Sequence, residues 1–401
     1  MTRRAVVIGG GIAGLATAAL LAREGMQVTL VESRDELGGR AGRWQQDGFT
    51  FDTGPSWYLM PEVFDHFFAL LGTSAAEQLD LVRLDPAYRV YFEGQRAPFD
   101  LPAEAARDAL VALDPDATAR LDAYLASAAE TYQLATSTFL YSTFRSLRPL
   151  LTRTTLRRLP TLVRLLTESL ERRIRRHSRD RRVQQVLGYP AVFLGTSPAA
   201  APGMYHLMSH LDIGQGVMYP RGGIAAVIDA IAALAVREGV TMRTGCRARR
   251  IVVEHGAAVG VEVQVSDGVH ERLTADVVVS TADLHVTERE LLEPEHRSRS
   301  DAWWQSRDPG PGAVLALLGV RGELPQLAHH TLLFTRDWED GFAAIYGTDP
   351  RIPDPASIYV CRPSATDDVA PAEHENLFVL IPVPADTGIG SGGLEIGRAH
   401  V

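Results

Sequence analysis

The residues most able to do chemistry stand within the first forty positions. Gly9-Gly10-Gly11-Ile12-Ala13-Gly14 satisfies G-x-G-x-x-G through Gly9, Gly11 and Gly14, and a carboxylate, Glu32, follows eighteen residues later. Glycines so spaced permit a tight turn and let backbone N–H groups approach a pyrophosphate at a helix N-terminus, while the acid binds ribose hydroxyls. A carboxylate there would repel a 2′-phosphate, so the motif selects against NADP. By itself the pattern is weak; its context makes it specific. Arg4–Ile8 is a short buried-strand run, Ile12–Glu24 reads as a helix with small residues toward a sheet, and Gln27–Val31 is a second strand ending at Glu32.

The segment Glu32-Ser33-Arg34-Asp35-Glu36-Leu37-Gly38-Gly39-Arg40 resembles the second signature of the large FAD family that includes amine oxidases and carotenoid desaturases. The resemblance implies close backbone approach to FAD at Gly38 and Gly39 and a cation from Arg40 near the phosphates or flavin. Asp52-Thr53-Gly54-Pro55-Ser56 is similar to that family's loop beside the isoalloxazine, which brings in Gly54 and Pro55.

Composition sets outer bounds. The chain has 401 residues, 46% hydrophobic and 22% charged, as expected of a globular protein with room for two or three domains. Cys246 and Cys361 are the only cysteines, too few for a disulfide framework and suited to a reducing compartment. No secretory pattern precedes Arg3, and no apolar run reaches the roughly 18–20 residues of a membrane span. The net charge of −9 conceals an asymmetry, since thirteen arginines face three acids between Arg145 and Arg182. Every basic side chain is arginine or histidine; lysine is absent.

Strand-like patterns at Leu81–Leu84 and Tyr88–Glu93 precede a mainly helical stretch from Pro102 to about His210. Within it Leu159, Val163, Leu166, Leu170 and Ile174 recur at helical spacing among arginines, and Pro149 and Pro160 suit the first turns of successive helices. This basic amphipathic composition predicts helices lying on an anionic membrane surface, with Arg172, Arg173, Arg175 and Arg176 toward lipid. A turn at Tyr219-Pro220-Arg221-Gly222-Gly223 opens a helix over Ile224–Glu238. Short strands follow at Val240–Arg243, Arg249–Glu254, Val259–Val265 and Asp276–Ser280.

Five phrases carry a narrower resemblance: Phe49-Thr50-Phe51-Asp52-Thr53-Gly54-Pro55-Ser56, Tyr219-Pro220-Arg221-Gly222-Gly223, Ser280-Thr281-Ala282-Asp283, His329-His330-Thr331-Leu332-Leu333-Phe334, and Asn376-Leu377-Phe378-Val379-Leu380-Ile381-Pro382-Val383-Pro384. Their order resembles the phytoene desaturase family of bacterial carotenoid desaturases. The resemblance implies an α/β fold: a Rossmann-like FAD-binding domain assembled from discontinuous segments, and an α+β substrate domain carrying a helical, membrane-facing subdomain. The expected segments are 1–75 and 214–285 for the FAD domain, and 76–213 and 286–388 for the substrate domain. A backbone contact to adenine is implied near Ala248, and Ala282 joins the cofactor set. His329 and His330 match the family but lack metal-ligand spacing, so they read as structural histidines and no metal is expected.

The implied activity is FAD-dependent dehydrogenation of a long isoprenoid polyene by hydride transfer to flavin, with oxygen, a quinone or NAD as the open choice of final acceptor. No acid–base residue is identified. Expected partners are the polyene and the inner face of the cell membrane, bound peripherally from the cytoplasm; nucleic acid is not among them. Carotenoid isomerases, ketolases and end-group oxidases share the motifs. An amine oxidase would usually place a lysine near the flavin, and this chain has none. A prenyl-binding chaperone of the same fold would not need the intact glycine motifs. Glu395-Ile396-Gly397-Arg398-Ala399-His400-Val401 matches the translation of a common sequencing adapter. Residues 389–401 are therefore expected to be an artificial tail, with the family's last FAD-domain segment missing.

Overall fold

The computed structural model describes residues 2–142, 145, 158–266, 268–308 and 310–386. The expected helix start at Pro149, the arginines at 148, 153 and 157, and the tail 389–401 lie outside the described residues. The chain divides into two compact units. One comprises Met1–Val82, Tyr219–Asp308 and Asp367–Pro371; the other comprises Arg83–Met218, Pro309–Thr366 and Ala372–Val401.

In the first unit a four-stranded parallel sheet runs in the order Val277–Ser280, Arg4–Ile8, Gln27–Val31, Thr241–Arg243. Arg4–Ile8 is buried at all but its first residue, as a central parallel strand covered on both faces must be. Its crossover helix, Ile12–Arg23, buries Gly14, Leu15, Ala18 and Ala19 and packs against helix Gly223–Arg237. A three-stranded antiparallel sheet (Arg247–Glu254, Ala257–Ser266, Val269–Thr274) shares an apolar cluster with the parallel sheet, built from Val6, Ile8, Val31, Cys246, Ile251, Val261 and Val263.

The second unit is organised by a six-stranded sheet in the order Gly312–Arg321, His374–Val383, Ile358–Cys361, His330–Phe334, Tyr88–Phe92, Phe99–Leu101. Neighbours are antiparallel except His330–Phe334 and Tyr88–Phe92, which are parallel. The helices of this unit include Ala106–Leu113, Thr118–Leu134, Leu159–Thr167, Leu170–His177 and Arg181–Gly188.

The five residues spaced from Leu159 to Ile174 are carried by two successive helices. Glu168 is extended, and the Ser169 hydroxyl accepts the Arg172 N–H at 3.2 Å, starting a second helix. Leu170 and Ile174 are core, whereas Leu159, Val163 and Leu166 are 49%, 50% and 57% exposed. Of the four arginines expected toward lipid, Arg172, Arg175 and Arg176 are exposed and Arg173 departs from that role. Arg173 is buried, with Nη1 2.8 Å from Glu168 Oε1, and Arg176 pairs with the same carboxylate. Arg175 pairs with Glu171 and Glu339. Arg173 Nη2 also lies 3.3 Å from His206 Nε2, and His206 Nδ1 lies 2.9 Å from the Gly203 carbonyl. Burial and the adjacent guanidinium push the His206 imidazole down to about 3, so it stays neutral. For Arg173 the reason is the buried acid in reach, which draws its guanidinium into the core.

Asp212 is buried beside the sheet and accepts hydrogen bonds from Tyr88 and Tyr189, each at 3.1 Å, and from the Ile213 N–H at 2.9 Å. Burial outweighs these donors and raises its carboxyl from 3.8 to about 6. Because the folded value exceeds the unfolded one, the folded state binds the proton more tightly. The stabilisation from protonation is complete below about 4 and is lost as pH rises through about 6. Thermal midpoints of wild type and Asp212→Asn, compared between pH 4 and pH 7, should show the variant gaining relative to wild type as pH rises. A difference independent of pH would contradict this.

Candidate functional site

Four loops gather at the carboxyl ends of the parallel strands, where ligands of such sheets bind. Ile8 stands in register with Val31 and Ser280, and Val31 with Arg243. Gly9–Gly14 follows Ile8, Glu32-Ser33-Arg34 follows Val31, Thr244-Gly245-Cys246 follows Arg243, and Thr281-Ala282-Asp283 follows Ser280. Gly9 N–H donates to Val31 O, Cys246 N–H to Glu32 O and Gly245 N–H to Arg34 O, at 2.9, 2.8 and 2.8 Å. The Thr281 hydroxyl donates to the carbonyls of Ile8 and Gly9 at 2.9 and 3.2 Å and so pins the glycine turn from the far side.

Glu32 is buried, and it already serves the protein. Its Oε2 accepts Gly10 N–H at 2.6 Å; its Oε1 accepts Arg34 N–H at 2.9 Å and the Ser33 hydroxyl at 3.1 Å. A carboxylate has about four acceptor directions, so one remains at Oε2 beside the glycine turn for a ribose hydroxyl. Sequence reasoning assigned Glu32 only the ligand. The structure adds that its charge also holds the amides of Gly10 and Arg34.

Gly38 N–H donates to Gly10 O at 2.9 Å, which lays the second glycine pair along the first. Gly54 then locks the following loop: a Cβ there would stand 1.9 Å from the Arg40 carbonyl. Arg40 itself is exposed and pairs with Asp283 at 3.1 Å. Ser33, Arg34 and Pro55 are exposed, as are Ile12 and Ala13 in the first turn of the helix. Ala248 and Ala282 are half-buried and pack on the cluster beneath the strand ends.

Two residues without a predicted role build the frame. Asp52 Oδ2 accepts Ile224 N–H at 2.8 Å and its Oδ1 accepts Ala225 N–H at 3.2 Å, capping helix Gly223–Arg237. Gly223 has φ +77°, and a Cβ on it would lie 2.3 Å from Asp52 Oδ2. Two of the family phrases are thus one device, joined across 171 positions that local spacing cannot reveal. Burial raises the Asp52 carboxyl to about 6 against the pull of those two N–H groups.

Whether these residues fit a dinucleotide is tested by the glycines. Gly9 has φ +103° and a Cβ on Gly14 would stand 1.9 Å from the Gly9 carbonyl oxygen, so the fold requires glycine at both; a Cβ on Gly10 would meet the end of the Leu37 side chain at 2.7 Å. Gly11 differs. Its φ of −77° suits any residue, and a Cβ would meet only Gly38 O and Gly39 Cα at 3.8 and 3.9 Å. Nothing in the protein demands glycine there. The helix it precedes has no side-chain cap and no acid in its first turn, leaving N–H groups toward an anion. The arrangement fits a pyrophosphate beside Gly11, Ile12 and Ala13 and a ribose at Glu32.

The sequence profile described as flavin containing amine oxidoreductase matches residues 12–329. The chain is 38% identical to a carotenoid 3,4-desaturase of Haloarcula japonica, over 94% of this chain and 75% of that protein. It is 34% identical to a zeta-carotene-forming phytoene desaturase of Myxococcus xanthus, over 95% and 72%. A crystal structure of an oxidoreductase from Methanosarcina mazei superposes with a TM-score of 0.63 at 18% identity, covering 95% of this chain and 79% of that one.

Proposed function

We propose, from the premise that this chain belongs to the flavin-containing amine oxidoreductases and within them to the phytoene desaturase family, that it is an FAD-dependent desaturase of a long isoprenoid polyene such as phytoene or its partly desaturated products. The observation that carries the reading is the pairing of a dinucleotide cradle, open at Gly11 where the fold needs no glycine, with 38% identity to a carotenoid desaturase along nearly the whole chain.

The assigned roles follow from the positions described above. Glu32 accepts the ribose hydroxyls while fixing Gly10 and Arg34. The first-turn amides of the helix that begins at Ile12 hold the pyrophosphate, and Gly38 and Gly39 let the backbone pass close to it. Gly54, locked on the Arg40 carbonyl, sets the loop that carries Pro55, with Ala248 and Ala282 beneath. FAD, when bound, would supply the two-electron oxidant for loss of a hydride from one carbon and a proton, released to solvent, from its neighbour. No acid–base residue is assigned. The developing charge is allylic and spread by conjugation, so a strongly tuned base is not required. Lysine, the residue an amine oxidase would usually place near the flavin, is absent from this sequence. Expression in a host that accumulates phytoene should yield coloured polyenes of longer conjugation. Unaltered phytoene beside abundant flavin-loaded protein would count against the proposal.

The substrate dissolves in lipid, and the reading extends to a membrane-surface partner on the cytoplasmic side. None of the helices among the described residues is long and apolar enough to cross a membrane. Support comes instead from helix Leu159–Thr167, where Leu159, Val163 and Leu166 recur on one exposed face with Arg158 and Arg164 nearby. Replacing these three with serine should release the protein from anionic vesicles in sedimentation, each side chain contributing about 1.5–3 kcal/mol when buried. Sedimentation equal to wild type would assign the surface elsewhere.

A further inference from the structure

In the second unit, two consecutive histidines and a cysteine from the adjacent strand converge. His330 opens strand His330–Phe334 and is in register with Cys361, the last residue of Ile358–Cys361. His329 precedes the strand, and its carbonyl accepts Arg362 N–H at 2.7 Å. Neighbouring residues inside a strand point to opposite faces. At the strand's mouth that alternation is relaxed, and the two rings lie 4.6 Å apart at 74°. One ligating atom each from His329, His330 and Cys361 falls within 4.8 Å of the others, and all three residues are at most 4% exposed. Each imidazole is held through Nδ1 by a hydroxyl: His329 by Thr366 and His330 by Tyr359, both at 2.8 Å. Such outer partners orient metal-binding histidines.

We propose that His329, His330 and Cys361 form a binding site for a soft monovalent ion, Cu(I). Two imidazoles and a thiolate are donors that suit it. Structural zinc sites are almost always four-coordinate, and three protein donors would leave zinc one short. Charge points the same way. Cu(I) with one thiolate is neutral, whereas zinc with one thiolate would leave a net positive charge in a buried site. Binding exchanges the thiol proton for the ion: the S–H proton leaves to solvent, a Cu–S bond forms, and no electron is transferred. In the binding tautomer each Nδ1–H donates to its hydroxyl oxygen. The site clamps the start of one strand to the end of its neighbour.

The test is an anaerobic titration of the reduced full chain with a Cu(I)–acetonitrile complex, against the chromophoric chelator bicinchoninate. One Cu(I) per chain should be withheld from the chelator. Affinity should fall at least about 100-fold in Cys361→Ser and about 10–100-fold in His330→Gln. Cys246→Ser, whose thiol lies in the first unit, should bind like wild type. Copper-edge X-ray absorption on the wild-type protein needs no variant and should report one sulfur and two imidazole nitrogens. No retention of Cu(I), retention undiminished in Cys361→Ser, a first shell without sulfur, or zinc bound in preference would each overturn the site.

Discussion

Gly11→Ala is expected to fold at least as well as wild type and to lose its flavin. At φ −77° alanine is unstrained, so the substitution should stabilise the cofactor-free fold by about 0.4–1 kcal/mol through the unfolded chain. The added methyl enters the space beside Gly38 and Gly39 that the pyrophosphate is assigned. FAD affinity should therefore drop at least about 100-fold, or about 2.7 kcal/mol, and Gly11→Val should bind none. Gly14→Ala is the contrasting case. Its Cβ would sit 1.9 Å from the Gly9 carbonyl, so it should cost about 3 kcal/mol or more of fold stability. Flavin absorbance per chain and chemical denaturation of the cofactor-free proteins separate the two effects. Wild-type flavin content in Gly11→Ala would remove the pyrophosphate from this turn.

Glu168→Gln carries the second large effect, on stability. The carboxylate side chain is only 6% exposed and answers Arg164, Arg173 and Arg176. Neutralising it leaves the buried Arg173 guanidinium without its counter-charge, at a cost of about 3–5 kcal/mol. The thermal midpoint should fall by roughly 6–20 °C. Arg172→Gln on the same helix is the control. Its side chain is exposed and makes no ion pair among the described residues, so the change should stay within about 0.5 kcal/mol. Equal midpoints for the two variants would return Glu168 and Arg173 to the solvated surface.

What could be read in advance depended on the range of the interaction. The unit Arg4–Val31 was legible because a buried strand, a glycine turn and a helix with small residues on one face are adjacent in sequence. Glu32 was legible as a ligand for the same reason. Its hold on Gly10 N–H was not, since that bond depends on where the strand end places the carboxylate. The capping of helix Gly223–Arg237 by Asp52 and the meeting of His329, His330 and Cys361 exist only once distant segments are paired. Helical spacing located the helices between Leu159 and Ile174 but not their division into two. Period alone cannot register a break at Glu168, or tell an exposed apolar face from a buried one.

The central claim, that the flavin of this protein oxidises a polyene, is tested most directly by anaerobic mixing of the flavin-loaded protein with phytoene in liposomes. The account predicts that the visible flavin band bleaches while a polyene of longer conjugation appears in equal molar amount. It also predicts that primary amines leave the flavin oxidised. Bleaching by an amine, with no response to any polyene offered, would contradict it.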